Sequence, residues 1–164
     1  MRENKKLAKN PIQSSLKGPK ITCSLLIPLD LMRKLPNSER KNIGKNIDFL
    51  LRRYGNRLKN HRRINRKGLT IKYQKPGNSL TKVNSRILPE EWGTLSILAS
   101  SHGISRCFLY CILIQIYLSD RSNYSSKIRY KLKVPKIESF VWTIDRKTKI
   151  IQRILCQGDL FSSS

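Results

Sequence analysis

The chain has 164 residues, 38% of them hydrophobic, and carries 34 Lys and Arg against 10 Asp and Glu, a formal charge of +24. That length holds one domain, or one small domain with decorated ends, and the four cysteines lack the spacing of a disulfide framework, which excludes a stapled secreted fold. A compact body of this charge repels itself, so a polyanionic partner is expected, nucleic acid first and an anionic membrane second, against the plainer reading of a merely soluble basic protein.

In chain order, residues 1–20 are polar and Lys-rich and predict a disordered basic tail. Residues 21–27 (ITCSLLI) are rich in strand formers and stop at Pro28, which predicts a short strand; 29–35 suit a helical turn or two. From about Ser38, the recurrence of Ile43, Ile47, Leu50, Leu51 and Tyr54 predicts a helix, with Gly55 as its stop. A basic connector follows over 56–68. Residues 69–73 (LTIKY) alternate weakly, and Lys75-Pro76-Gly77-Asn78 is a turn signal.

The stretch 81–118 is the most informative. Lys82-Val83-Asn84-Ser85-Arg86-Ile87 alternates with period two, placing Val83, Ser85 and Ile87 on one face and Lys82, Asn84 and Arg86 on the other. Pro89-Glu90-Glu91 opens a helix, with proline at its first turn and negative charge at the positive dipole end. Trp92, Leu95, Leu98 and Ala99 form its apolar stripe, and Gly103 ends it in the left-handed conformation. Ser105 caps a second helix that buries Phe108, Leu109, Ile112, Leu113 and Ile116. Residues 121–136 read as a basic loop or short strand, 138–156 as a hairpin around Asp145-Arg146-Lys147-Thr148, and the last residues as a tail.

The charge is uneven. Residues 1–80 hold 21 basic and 4 acidic side chains; residues 81–164 hold 13 and 6. Arg52, Arg53, Arg57, Lys59, Arg62, Arg63, Arg66 and Lys67 share one window without an acid. Such a cluster suits phosphate contacts through counterion release, or else is a solvated helix face running into a loop.

Residues 82–118 resemble the ribbon-helix-helix superfamily typified by the Arc, MetJ and CopG repressors. The resemblance rests on the alternating strand, the Pro-Glu-Glu helix start, Leu98-Ala99 and Gly103-Ile104-Ser105-Arg106 at the family's spacing. It implies an antiparallel two-stranded ribbon that enters the major groove of double-stranded DNA. By resemblance, Lys82, Asn84 and Arg86 would read bases, while Ser105 and Arg106 would hold a backbone phosphate. From the charge cluster, Arg52, Arg53, Arg62, Arg63, Arg66 and Lys67 would add further phosphate contacts. The second strand could come from another copy in a homodimer, which is preferred. It could also come from residues 21–27 in a single-chain pseudo-dimer, since 21–54 weakly repeats the strand-helix-helix order, or from 69–73 as a hairpin. The whole chain is also similar to an uncharacterised family of spirochaete proteins, which shares the Leu-Leu-Ile-Pro strand, the Leu-Leu-Arg-Arg-Tyr-Gly helix end and the His-Gly-Ile-Ser-Arg-Cys-Phe-Leu segment.

The expected architecture is α+β: a ribbon-helix-helix unit with an N-terminal strand and helix extension and a C-terminal β-hairpin. Its parts are a tail at 1–20, the extension at 21–68, the unit at 69–120, the basic hairpin region at 121–160 and a tail at 161–164. The expected function is sequence-specific DNA binding, as a transcriptional repressor. The alternatives are a non-specific RNA-binding or ribosome-associated protein and an antitoxin-like interaction module. No nucleophile, acid–base or phosphate-loop motif is present, so no enzyme is expected. Cys107 and Cys111 with His102 are the available ligand set, but apolar helix positions commonly use Cys as a small hydrophobe, so neither metal nor cofactor is expected. Residues 107–118 contain Gln115, and 21–32 are broken by Pro28 and Asp30. Both fall short of the ~20 residues a membrane helix needs, and a cytoplasmic location with no membrane partner is expected.

Overall fold

The computed structural model describes residues 17–59, 61–75, 79–123, 137–145, 147–148 and 150–157. Residues 1–16 of the tail expected at 1–20, the tail expected at 161–164, the turn residues 76–78 and the stretches 124–136 and 158–160 lie outside the described residues. Among those described, the fold is α+β, with five helices and two antiparallel strand pairs.

β1 (Ile21–Pro28) pairs with β2 (Leu80–Ile87), Ile21 opposite Ile87 and Pro28 opposite Leu80. The ribbon is therefore closed within this chain by residues 21–28, the single-chain arrangement named as the alternative to a second copy. The reason is energetic. Closing a loop over residues 29–79 costs entropy that grows only logarithmically with length, whereas recruiting another chain costs about 4–15 kcal/mol of lost freedom. Residues 69–73 supply no strand; they contribute one parallel bridge, Lys72 to Ile104. Leu69, Ile71 and Tyr73 are all exposed, so nothing holds them as a sheet face.

Each ribbon strand leads into helices. After β1 come α1 (Leu29–Lys34), α2 (Asn37–Arg40) and α3 (Ile47–Lys59); after β2 come α4 (Pro89–His102) and α5 (Arg106–Asn123). Pro36 is what splits the first set. It lacks an N–H and forces Leu35 out of the helical region, to ψ 134°. The helix expected from Ser38 is interrupted at 41–46, where Gly44 takes φ +81°, and resumes at Ile47. It does not stop at Gly55. A helical glycine costs roughly 1 kcal/mol, but running on to Lys59 buries Leu58, worth about 1.5–3 kcal/mol. His102 Nε2 then binds the Leu58 carbonyl at 2.9 Å. α4 matches its signals: Pro89 opens it, and Gly103 at φ +64° closes it, with the Ile104 N–H returning to the Ala99 carbonyl. α5 runs three residues into the segment expected to be irregular from 121.

The core lies between the ribbon's inner face and α3, α4 and α5. Leu25, Ile27 and Ile87 meet Ile47, Leu50 and Leu51 of α3, Leu95 and Leu98 of α4, and Leu109, Leu113 and Ile114 of α5. Ser85, the polar residue on this face, sits against Gly44, where a Cβ would overlap its side chain. Tyr110 completes that corner: its hydroxyl accepts the Gly44 N–H at 2.8 Å and donates to Asn46 Oδ1 at 2.6 Å. Burial raises its pKa well above the usual tyrosine range.

β3 (Ile137–Asp145) and β4 (Ile150–Gln157) form the expected hairpin. The Asp145 carboxylate holds its turn, accepting the Lys147 N–H at 2.9 Å and the Thr148 hydroxyl at 2.7 Å. Those bonds also lower the Asp145 pKa, the Thr148 side chain contributing most.

Candidate nucleic-acid interface

The pleat sorts the ribbon into two faces. Cys23, Leu25, Ile27, Ser85 and Ile87 are buried, while Thr22, Ser24, Leu26, Lys82, Asn84 and Arg86 are exposed. Cross-strand pairing lines up the exposed six as Thr22 with Arg86, Ser24 with Asn84, and Leu26 with Lys82. The three residues selected from the β2 alternation thus share one surface with three from β1 that the sequence reading did not select. The signal was there, since Thr22, Ser24 and Leu26 alternate with the apolar Cys23, Leu25 and Ile27, but their relevance depends on which strand pairs with β2. At the centre, Ser24 Oγ donates to Asn84 Oδ1 at 2.8 Å, leaving the Asn84 amide N–H groups and one oxygen lone pair for an outside partner.

The ribbon is close to two-fold symmetric in pattern. Counting on sixty residues carries Cys23, Leu25 and Ile27 to Val83, Ser85 and Ile87, and Ser24 to Asn84, its own partner across the ribbon. The glycines that turn each half, Gly44 and Gly103, both lie at positive φ.

α5 docks on the free edge of β1. Cys107 and Cys111 point their thiols at the Ser24 and Leu26 carbonyls, each at 3.7 Å, and Gln74 Nε2 donates to the Leu26 carbonyl at 2.9 Å. This explains the i, i+4 cysteine pair and covers an edge that could otherwise pair with another strand. Burial pushes the Cys111 thiol up to about 12 and raises Cys23 too, with the Arg106 charge opposing, so both stay protonated at neutral pH. Among the described residues, no three His, Cys, Asp or Glu side chains form a metal-sized cluster.

The docking also brings the start of α5 beside the ribbon. Ser105 accepts the Phe108 N–H on its hydroxyl at 3.1 Å, as a cap does, while its own N–H goes to the Lys72 carbonyl. Helical geometry leaves the N–H groups of Arg106 and Cys107 without an intrahelical carbonyl. The Arg106 side chain is exposed, with its guanidinium over the Trp92 ring at 4.6 Å.

The basic window divides in two. On α3, Arg52 pairs with Asp48 at 2.7 Å, Arg53 lies over the Phe49 and Tyr54 rings, and Arg57 approaches Asp120 at 3.8 Å. Beyond α3, Arg62, Arg66 and Lys67 are exposed. Buried Asn65 staples this loop to the α4–α5 corner: its N–H binds the His102 carbonyl, and its Nδ2 donates to the carbonyls of Thr70 and Gly103. The corner leads directly into the start of α5. Arg63 differs from its neighbours. It is half-buried, donates to the Lys67 carbonyl at 3.0 Å, and packs across Gly103, where a Cβ would overlap its guanidinium.

A family model described as a protein of unknown function, DUF1564, matches residues 4–159. The chain belongs to the DUF1564 family. No curated protein and no solved structure matches it. For this DUF1564 member, no helix among the described residues is long and apolar enough to cross a membrane.

Proposed function

We propose that the protein is a sequence-specific double-stranded DNA-binding protein of the ribbon-helix-helix type, with both halves of the unit on one chain, acting in the cytoplasm as a repressor of its own or neighbouring genes. One observation carries the reading: the six outward residues of the β1–β2 ribbon, with the start of α5 at its side. A two-stranded ribbon fits the major groove, where base edges are distinguishable. Arg86 has the fork that recognises guanine, Asn84 the amide that recognises adenine, and exposed Leu26 suits a thymine methyl. Thr22, Ser24 and Lys82 supply further hydrogen-bonding groups. The N–H groups at the start of α5 suit a phosphate beside the groove, and exposed Arg62, Arg66 and Lys67 add basic groups for backbone phosphates.

The test is selection of binding sites from a random duplex pool, followed by affinity measurements at several salt concentrations. The pool should converge on one motif. Arg86→Ala should cost about 1–3 kcal/mol on that motif and little on random DNA, whereas neutralising Arg62 and Arg66 should weaken both alike and flatten the salt slope by about two phosphates' worth. A pool without a motif, or stronger binding to RNA at equal salt, would replace base reading with sequence-tolerant binding.

A further inference from the structure

A second basic site lies away from the ribbon's outer face. His61, Arg63, Ser101, His102, Arg153, Ile151 and Leu155 line a cavity of about 380 Å³ between the basic loop, the end of α4 and the C-terminal hairpin. Three segments distant in sequence build it. The hairpin is anchored there by Arg153, whose guanidinium donates to the Gly68 carbonyl, and by Ile151, which packs against Gly68.

Its chemistry is one-sided: among the described residues, two arginines and two histidines line it and no carboxylate does. Desolvation lowers the pKa of both arginines, and the Arg153 charge lowers that of Arg63 further. Facing cations beside an apolar wall repel each other more strongly than they would in water. Two lining atoms also lack protein partners: Arg63 Nε and His102 Nδ1 are buried without a hydrogen bond. His102 is only 3% exposed, and its other nitrogen is committed to the Leu58 carbonyl. Gly103 holds the arrangement open, because any Cβ there would displace the Arg63 guanidinium.

We infer that this cavity binds a phosphoryl group, its oxygens bridging the Arg63 and Arg153 guanidiniums with His102 Nδ1 at its floor. Arginine forks match the geometry of phosphate oxygens, and an anion held between two guanidiniums offsets their mutual repulsion. Neutral Nδ1 accepts from a protonated phosphate oxygen, and a protonated imidazole donates to a charged one. The phosphoryl group can belong to a small phosphorylated ligand or to a nucleic-acid backbone that runs past the basic loop. The inference is independent of base reading by the ribbon.

The experiment uses the full chain as wild type, Arg153→Gln, Arg153→Lys and Arg86→Ala, with folding checked by circular dichroism. Tm is measured in inorganic phosphate against chloride at matched ionic strength, and duplex DNA affinity is measured against salt. Phosphate at tenfold its Kd should raise the Tm of wild type and Arg86→Ala by about 3–6 °C more than that of Arg153→Gln, with Arg153→Lys between. Comparison with the Gln variant removes the general stabilisation that phosphate gives any protein. If phosphate also displaces DNA, or Arg153→Gln lowers the salt slope, the occupant is a backbone phosphate. If DNA binding is unaffected while the phosphate response is lost, it is a free phosphoryl ligand. Wild type and Arg153→Gln responding alike to phosphate and sharing one salt slope would overturn the site. Loss of motif preference in Arg86→Ala with an intact phosphate response separates this result from the fate of the ribbon reading.

Discussion

Gly44 and His102 are the positions where single atoms decide most. Gly44 is at φ +81°, and a Cβ would overlap the Ser85 side chain. Gly44→Ala should therefore lose about 1–2 kcal/mol from left-handed strain and about 1–3 kcal/mol from overpacking, read as a lower urea midpoint. Adding Ser85→Gly should recover the packing part and leave the backbone part, so a double variant no better than Gly44→Ala would contradict this account of Ser85. His102 makes stability pH-dependent. Burial lowers its pKa below the usual histidine value, the Leu58 carbonyl opposing and the nearby His61 and Arg63 charges adding to the fall. A depressed folded pKa means that the unfolded chain takes the proton first, so its contribution is present above about pH 6.5 and lost as pH falls through the folded value. The urea midpoint should drop on acidification, and His102→Gln should shrink that drop; an unchanged pH profile would remove His102 from the explanation.

Elements with short-range signals were legible, and those settled by distant contacts were not. α4 announced itself through Pro89-Glu90-Glu91 and Gly103, β2 through its alternation, and the hairpin through Asp145, because caps, pleat and turns depend on neighbours in sequence. α3 outran its apparent stop at Gly55 because Leu58 and its carbonyl find partners in the core and on α4. Residues 69–73 failed as a strand because the Lys72 backbone serves the α4–α5 corner instead. The cysteine pair of α5 had a helical spacing visible from the start. Its target, the carbonyl edge of β1, belongs to a strand more than eighty residues earlier in the chain.

For the whole molecule, the decisive feature is that one chain closes the ribbon. Folding should then be unimolecular: Tm should stay constant over a hundredfold range of protein concentration, whereas a ribbon shared between two copies would make Tm rise with concentration. The intrachain ribbon also makes its two edges chemically unequal, with Lys82, Asn84 and Arg86 facing Leu26, Ser24 and Thr22. Two identical chains would repeat one triplet, so the preferred motif should be asymmetric, a property the pool selection reads directly.

By itself the sequence determined the local elements, the outward triplet of β2, the left-handed turn at Gly103 and the strongly basic surface. Each follows from periodicity, capping chemistry or simple charge counting. Only the tertiary structure decided that β1 is the partner strand, that Thr22, Ser24 and Leu26 therefore join the outer face, and that Arg63 and Arg153 meet beside His102. Those are contacts between residues 39 to 90 positions apart. They are chosen by the shared burial of apolar faces and by loop closure, which no local pattern encodes.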